Sequence, residues 1–519
     1  MSNGVTGFVA IVGEAHVLQG DTRVAPYATD VYRAQVMPQA VISPGTVDEL
    51  QKVIALAARE NISFTVRGGG ASYTDAYNTV DAAHFLIDTS RINRIVEINT
   101  TGGYVVVEAG VTWAGLSDAL AEHGMRTPFR GPFSGLKATI GGSMSQNSIS
   151  HGSGAFGISA ESALAFDIIR ADGTMLRTGS SAFGETGFVR HCGPDLTGLF
   201  TGDGGALGIK ARVTLPIIAM RPAHKVISFS FPDFNALHES MRRIALERIE
   251  DSHFALDAAL SQGQIARQDR AGGALKMALS IIRSSPSVMA GAKQVLAAGL
   301  LARGQIARSA FMTHYIVEGF DDGECKAKLH RLRELVRDIG TEIAPTVPAV
   351  VRSMPFAPFY NVLGPQGERW VPLHGILSHE QARPFHDALE IFYSNRKSEM
   401  ERLGIWGGGM FSTVGTSGFL YEIALYWPDA QTPYHKASVP NDYLEQLPKF
   451  PVNAEAAAYV AKLKEDIIAL YDSFGAVHFQ LGRAYPYGSR IENAAGELVR
   501  SIKRELDPQG RIGPGVLGI

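Results

Sequence analysis

The alternation of apolar and polar positions divides the chain into two styles of structure. After a mixed stretch from Glu14 to Tyr32, Pro38 to Pro44 encloses a short apolar run that reads as a strand. Val47 to Ala58 repeats at helical spacing, with Thr46 as a hydroxyl cap and Asp48 and Glu49 in the first turn. Ile62 to Val66 and Phe85 to Asp88 are short apolar strands, Arg91 to Glu97 leads into another, and Gly103 to Gly110 is β-branched and bounded by glycine. Trp113 to His123 is predicted helical. Ala163 to Arg170 and Met175 to Thr178 make a hairpin about Asp172-Gly173, followed by a short helix in Gly193 to Phe200 and a strand, Ala211 to Ile217.

Beyond Pro222 the pattern changes. A strand, Lys225 to Phe231, precedes a helix, Phe234 to Ile249. Further helices are expected over Ala274 to Ser309 (with Val288 to Leu301 as a buried helix) and Gly323 to Ile339, and strands at Trp370 to His374 and Phe419 to Tyr426. Strands mixed with helices predict a second α+β unit. The proline-rich stretch Ala430 to Val452 reads as a loop. The first style then returns, with a helix to Tyr471, a strand at Ala476 to Leu481, a helix at Ile491 to Glu505 and turn residues from Asp507 to Gly515.

Candidate chemistry begins where the strand ending at Val66 runs into Gly68-Gly69-Gly70. Successive backbone N–H groups in such a turn can converge on an anion, which would make it a cradle for the pyrophosphate of a dinucleotide; three glycines also make a plain turn. A second glycine-rich region, Gly131 to Gly157, contains Thr139-Ile140-Gly141-Gly142-Ser143 and then Asn147, His151 and Gly152. So many small residues make a poor core and suit backbone lying against a flat ligand.

With 519 residues, 45% apolar and 19% charged, the chain should hold two or three soluble domains. A net charge of −3 gives no basic face for nucleic acid. Cys192 and Cys325 are too few for a disulfide framework, which fits a reducing compartment. The N-terminus lacks the basic start and apolar core of a secretion signal, and no apolar run is long enough to span a membrane, so the expected location is cytoplasmic.

Taken together, PQAVISPGTVDELQKVIALA, FTVRGGGASYTD, INRIVEINTTGGYVVVEAGVTWAGL, ATIGGSMSQN, LTGLFTGDGGALGIKARVTLPI and RELDPQGRIGPGVLGI resemble, in order and spacing, the vanillyl-alcohol oxidase / p-cresol methylhydroxylase family of flavoproteins. The resemblance implies an α+β fold: an FAD-binding domain in two parts, 1–222 and 471–519, with an inserted α+β cap, 223–470, over the isoalloxazine ring. It implies that Arg67, Gly68, Gly69, Gly70, Ala71, Ser72 and Tyr73 hold the pyrophosphate. Pro132, Thr139, Ile140, Gly141, Gly142, Ser143, Gly204, Gly205, Gly208 and Ile209 would line the rest of the cofactor, with Asn147, His151 and Gly152 along the ring. Relatives that bond FAD from the first loop carry histidine where Ala71 stands here, so a link from that side is excluded. Tyr421 falls near the point from which other relatives link FAD through the cap, or is simply a strand residue; non-covalent FAD is expected.

The resemblance also implies a reaction: hydride leaves an alcohol carbon of an aromatic or phenol-derived substrate for flavin N5, and O2 or an electron carrier takes the electrons onward. Tyr73 matches a phenol-binding tyrosine of the family, but its tyrosine–arginine pair and acidic residue are missing. A D-2-hydroxy acid or sugar alcohol dehydrogenase and a non-catalytic flavin-binding subunit are the alternatives. A base or hydrogen-bonding partner for the hydroxyl is required, and the candidates are Tyr73, His374, Glu422 and His478 with Gln480. Arg352 and Arg483 could hold an acidic group or form salt bridges. No metal site is expected, and a homodimer is possible by analogy with the family.

Overall fold

A computed structural model of the protein describes residues 3–150, 152–263 and 309–519. Of the helix expected over Ala274 to Ser309 all but Ser309 lies outside the described residues, as does His151; Ser309 is not helical. The architecture is α+β, built on three main sheets.

The first sheet takes the order β1-β2-β4-β3 from β1 (Val17–Leu18), β2 (Ala40–Ile42), β3 (Phe64–Arg67) and β4 (Phe85–Asp88), with β2 and β3 both parallel to β4. The helix Val47–Arg59 covers it and starts as expected, Thr46 Oγ1 accepting from the Glu49 N–H at 3.1 Å. A helix at Asn3–Val12, which the sequence reading did not anticipate, adds Val5, Phe8 and Val12 to the same core. Its glycines conceal it, yet Gly7 has a packing reason: a Cβ there would meet Leu56 Cδ2 at 2.8 Å, so glycine lets the two helices approach. Phe8 meets the edge of Phe85 at 5.2 Å, and each such buried ring contributes about 1.5–3 kcal/mol.

The second sheet has the order β5-β6-β10-β8-β9: β5 (Ile95–Asn99), β6 (Tyr104–Glu108), β8 (Ala165–Ile169), β9 (Met175–Arg177) and β10 (Ile209–Pro216). A small ribbon pairs β7 (Met125–Arg126) with β11 (Ile218–Ala219). The tail reaches back to the first sheet. The Phe64 N–H donates to the Arg511 carbonyl at 2.9 Å and the Gly513 N–H to the Phe64 carbonyl at 2.8 Å, forming a parallel bridge between Phe64 and Ile512.

The third sheet is antiparallel throughout and draws its seven strands from 223–427, in the order β15-β12-β14-β13-β17-β18-β16. These are β12 (Ala223–Phe231), β13 (Ser252–Asp257), β14 (Phe311–Gly319), β15 (Thr341–Ile343), β16 (Arg369–Ser378), β17 (Trp406–Val414) and β18 (Gly418–Trp427). Helices Phe234–Glu247, Asp322–Val336, His379–Ser394 and Ala454–Ser473 cover one face, burying Phe411, Tyr421 and Ile423 with Phe385 and Ile467. The opposite face carries Phe254, Ala424 and Tyr426 against Phe133 of the second glycine-rich region.

The sequence reading missed β13, β14, β15 and β17. Gly407-Gly408-Gly409 near the head of β17 hides its strand character, because glycine lacks the side chains from which alternation is read. The expected loop at Ala430 to Val452 contains helices Pro433–Ser438 and Asn441–Leu444; Pro433 opens the first, where a missing N–H costs nothing. The expected strand at Ala476 to Leu481 is a single bridge, Val477 to Ile376.

Candidate functional site

The loop after β3 is held from behind. Tyr434 and Tyr77 both donate their hydroxyls to the Gly70 carbonyl, at 2.5 and 3.2 Å. In a trans peptide the next N–H points the opposite way, so Ala71 N–H is aimed away from the tyrosines. Gly70 takes φ +68°, and a Cβ at Gly69 would lie 1.6 Å from the Lys137 carbonyl oxygen, which brings the two glycine regions into contact. Arg67 turns its guanidinium onto Tyr27, 4.7 Å from the ring centroid, and reaches Asp88 at 4.0 Å. Among the described residues, none of the N–H groups from Gly68 to Tyr73 donates to a protein acceptor. A row of free donors at the end of a parallel strand fits a pyrophosphate.

Further along, Thr139 caps the helix Ile140–Gln146, accepting from the Gly142 N–H at 3.3 Å. The N–H groups of Ile140 and Gly141 are taken by the Val111 and Ala109 carbonyls, and that of Ser143 by Thr139. Gly141 is glycine because a Cβ would strike Ala109 at 2.6 Å, and Gly208 because one would strike Ile168 at 2.5 Å. Ile209 sits in the core of the first sheet. Packing gives each of these three a structural reason of its own. Asn147, in a left-handed turn at φ 51°, keeps its Oδ1 buried without a partner, and so does Ser150 its Oγ. These orphaned acceptors and donors suit the polar edge of a planar ligand. Gly204 is tied to Ser145 at 2.9 Å, Gly205 leaves open space where a Cβ would stand, and Gly152 meets nothing closer than the Asp251 carbonyl at 3.7 Å. Pro132 is buried and accepts from Gly135.

Above the loop stands the third sheet. His374 on β16 and Glu422 on β18 are register partners, so their side chains share a face. Tyr73 reaches the same face, its ring 5.8 Å from both Trp370 and His374 in edge-on contacts. The His374 ring lies 4.2 Å from Phe479 and 5.2 Å from Tyr485, whose hydroxyl accepts from the His374 N–H at 3.1 Å. His478 stands behind: it stacks on Tyr485 at 4.2 Å, with Nδ1 on the His374 carbonyl at 2.8 Å and Nε2 on Asp472 at 3.0 Å. Both its nitrogens are engaged by protein acceptors. Tyr485 and Asp472 escaped the sequence reading; the only signal was a pair of tyrosines flanking Pro486 in a turn-rich tail.

Burial sets the protonation states. It lowers His374 to about 3, with His478 adding to the effect and a contact with Gln480 opposing it. It raises Glu422 to about 7. Burial first, then Glu422 and Tyr485, hold the Tyr73 phenol well above its usual range. At neutral pH the face therefore presents a neutral imidazole, a protonated phenol and a carboxyl poised between its two forms.

Three candidates fall elsewhere. Tyr421 lies on the helix-covered face, its hydroxyl 2.9 Å from His386 Nδ1, because neighbours on a strand point to opposite sides. Arg483 clamps the Asp75, Asn78 and Pro514 carbonyls. Arg352 joins Glu318 at 3.3 Å in a buried network where Arg126 and Arg130 also bind Asp251 and Glu318. Among the described residues no group of three His, Cys, Asp or Glu could hold a metal ion, and no helix is long and apolar enough to cross a membrane.

Comparison with known proteins agrees with this geometry. The FAD binding domain family matches residues 38–179. An uncharacterised FAD-linked oxidoreductase of Mycobacterium tuberculosis is 27% identical over 248 residues, 47% of this chain and 52% of that protein. Glycolate oxidase subunit GlcD of Escherichia coli is 27% identical over 216 residues, 41% of this chain and 42% of its own length. The chain thus matches about half of each curated relative. The solved structure of p-cresol methylhydroxylase with substrate bound superposes with TM-score 0.74 at 16% identity, covering 99% of this chain and 96% of that one. The glycine cradle, the matched domain and the shared fold converge: the chain carries an FAD-binding domain, has the fold of p-cresol methylhydroxylase, and takes FAD as its cofactor.

Proposed function

We propose that this FAD-linked oxidoreductase oxidises an alcohol carbon borne on an aromatic or phenol-derived substrate. The observation that carries the reading is the shared face of Tyr73, Trp370, His374 and Glu422, where aromatic walls surround one ionisable carboxyl. FAD, when bound, supplies the two-electron acceptor. Trp370 and Tyr73 enclose the substrate ring, and the Tyr73 hydroxyl donates to the substrate oxygen and fixes its position. Glu422 takes the hydroxyl proton: with its pKa at about 7 it is a far better base than His374 at about 3. His374 remains neutral and, held by Tyr485 and His478, keeps the carboxyl's surroundings dry.

FAD is held without a covalent bond on this reading. Ala71 offers no nucleophile on the loop side, and Tyr421 faces the helices. Acid precipitation should leave all yellow colour in the supernatant; flavin retained in the pellet would refute this.

Similarity to glycolate oxidase subunit GlcD supports a second reading, a D-2-hydroxy acid substrate. Anaerobic mixing decides between them. Bleaching of the flavin band by vanillyl alcohol or a lignin-type dimer, without bleaching by D-lactate, is the expected result. Bleaching by D-lactate alone would favour the second reading, and none with a broad panel would favour a flavin-binding subunit without turnover.

A further inference from the structure

A cavity of about 460 Å³ lies on the helix-covered face of the third sheet, on the far side from Tyr73, His374 and Glu422. Its floor includes bare backbone. Gly407 points no side chain into it, while the Phe411 ring lies over Gly409, where a Cβ would meet it at 2.6 Å. Phe411 and Tyr421, with centroids 4.7 Å apart, form an aromatic wall.

Acceptors and carboxylates outnumber the donors Lys397, Ser394 and His386 around this floor. Asp257 accepts from the Gly409 and Leu260 N–H groups at 2.5 and 2.8 Å and also from the Ala259 N–H. The buried Tyr393 hydroxyl, 3.7 Å from where a Gly407 Cβ would stand, makes no hydrogen bond. Glu390 and Glu401 add two carboxylates, against Lys397 as the lining cation, 3.9 Å from Glu401. Negative charge is therefore in excess beside aromatic faces, and an unpaired hydroxyl oxygen waits in the same space. An anion would add to that charge and a neutral ring would leave it uncompensated. A cation attached to a ring meets every feature.

We propose that this cavity is a second ligand site, binding a small protonated arylalkylamine. Its ring lies beside Gly407, against the Phe411 and Tyr421 rings. Its ammonium donates to Asp257, Glu390 and the Tyr393 oxygen.

The test titrates the FAD-loaded full chain with benzylamine by calorimetry, with benzyl alcohol and benzoate as neutral and anionic comparators. One equivalent of benzylamine should bind, at least tenfold more tightly than benzyl alcohol, with no heat from benzoate and no change in the flavin spectrum. Glu390→Gln, a change at an exposed position, should weaken benzylamine at least fivefold, and Tyr393→Phe should weaken it at least twofold. Gly407→Val should abolish binding by filling the floor; should that variant fail to fold, Glu390→Gln and Tyr393→Phe carry the test. Absence of binding, equal affinity in Glu390→Gln, or binding that shifts the flavin band would overturn the proposal.

Discussion

Glu422 and His374 face one another across two strands, and burial moves them in opposite senses because it penalises whichever form is charged: the carboxylate of one, the imidazolium of the other. The two consequences can be read separately. The kcat/KM profile should rise through pH about 7 as Glu422 ionises, and Glu422→Gln should flatten that limb while lowering flavin reduction by at least about tenfold. A raised carboxyl pKa also means that the folded state binds protons more tightly than the unfolded chain, so stability falls as pH rises from about 4.5 to about 7. Glu422→Gln should accordingly raise stability at pH 8, by roughly 1–3 kcal/mol in denaturant unfolding. A variant that slows reduction but keeps the pH limb would assign the base elsewhere. Glu422, His374 and Tyr73 were all legible as residue types. Their ranking was not, since the sequence does not show which of them loses water.

At the scale of the element, strand alternation separates Tyr421 from Glu422. Adjacent in the chain, one lies among the helices and the other faces Tyr73, and a register error of one residue would exchange them. The sequence identified β18 as a strand but not which of its faces was covered, because both carry aromatics. The glycine loop was more legible, since φ +68° at Gly70 and the approach of Lys137 to Gly69 leave almost no other residue type possible. Gly69→Ala places a Cβ 1.6 Å from a backbone oxygen that cannot yield without moving the second glycine region. We expect at least a tenfold loss of FAD affinity by fluorescence titration, with the far-ultraviolet circular dichroism preserved. Unchanged affinity would mean that the loop does not carry the pyrophosphate. Elements without such steric demands, such as β17 with its run of glycines, were the ones the sequence hid.

For the whole molecule, acid should be the limiting condition. Burial lowers His224 and His238 to about 4 and His314, His374 and His435 to about 3. The unfolded chain then binds more protons below pH 6.5, so stability falls with falling pH, by up to about 2 kcal/mol for each such histidine at pH 5. Asp30 and Asp257, raised to about 6, act with Glu422 in the opposite sense but are outnumbered. The thermal midpoint should drop steadily from pH 7 to pH 5; a flat profile would show that the histidines are solvated. This balance was invisible in the sequence, which gives fifteen histidines and not their surroundings. The bridge between Phe64 and Ile512 has a consequence during synthesis. At ~5–20 residues per second, roughly 450 residues must leave the ribosome after Phe64 before its partner exists, on the order of 20–90 s. Throughout that time the nascent chain displays an open strand edge, ready to pair with the wrong neighbour. A chain truncated after Glu505 should therefore aggregate in the cell, and co-expression of the missing peptide should restore soluble yellow protein.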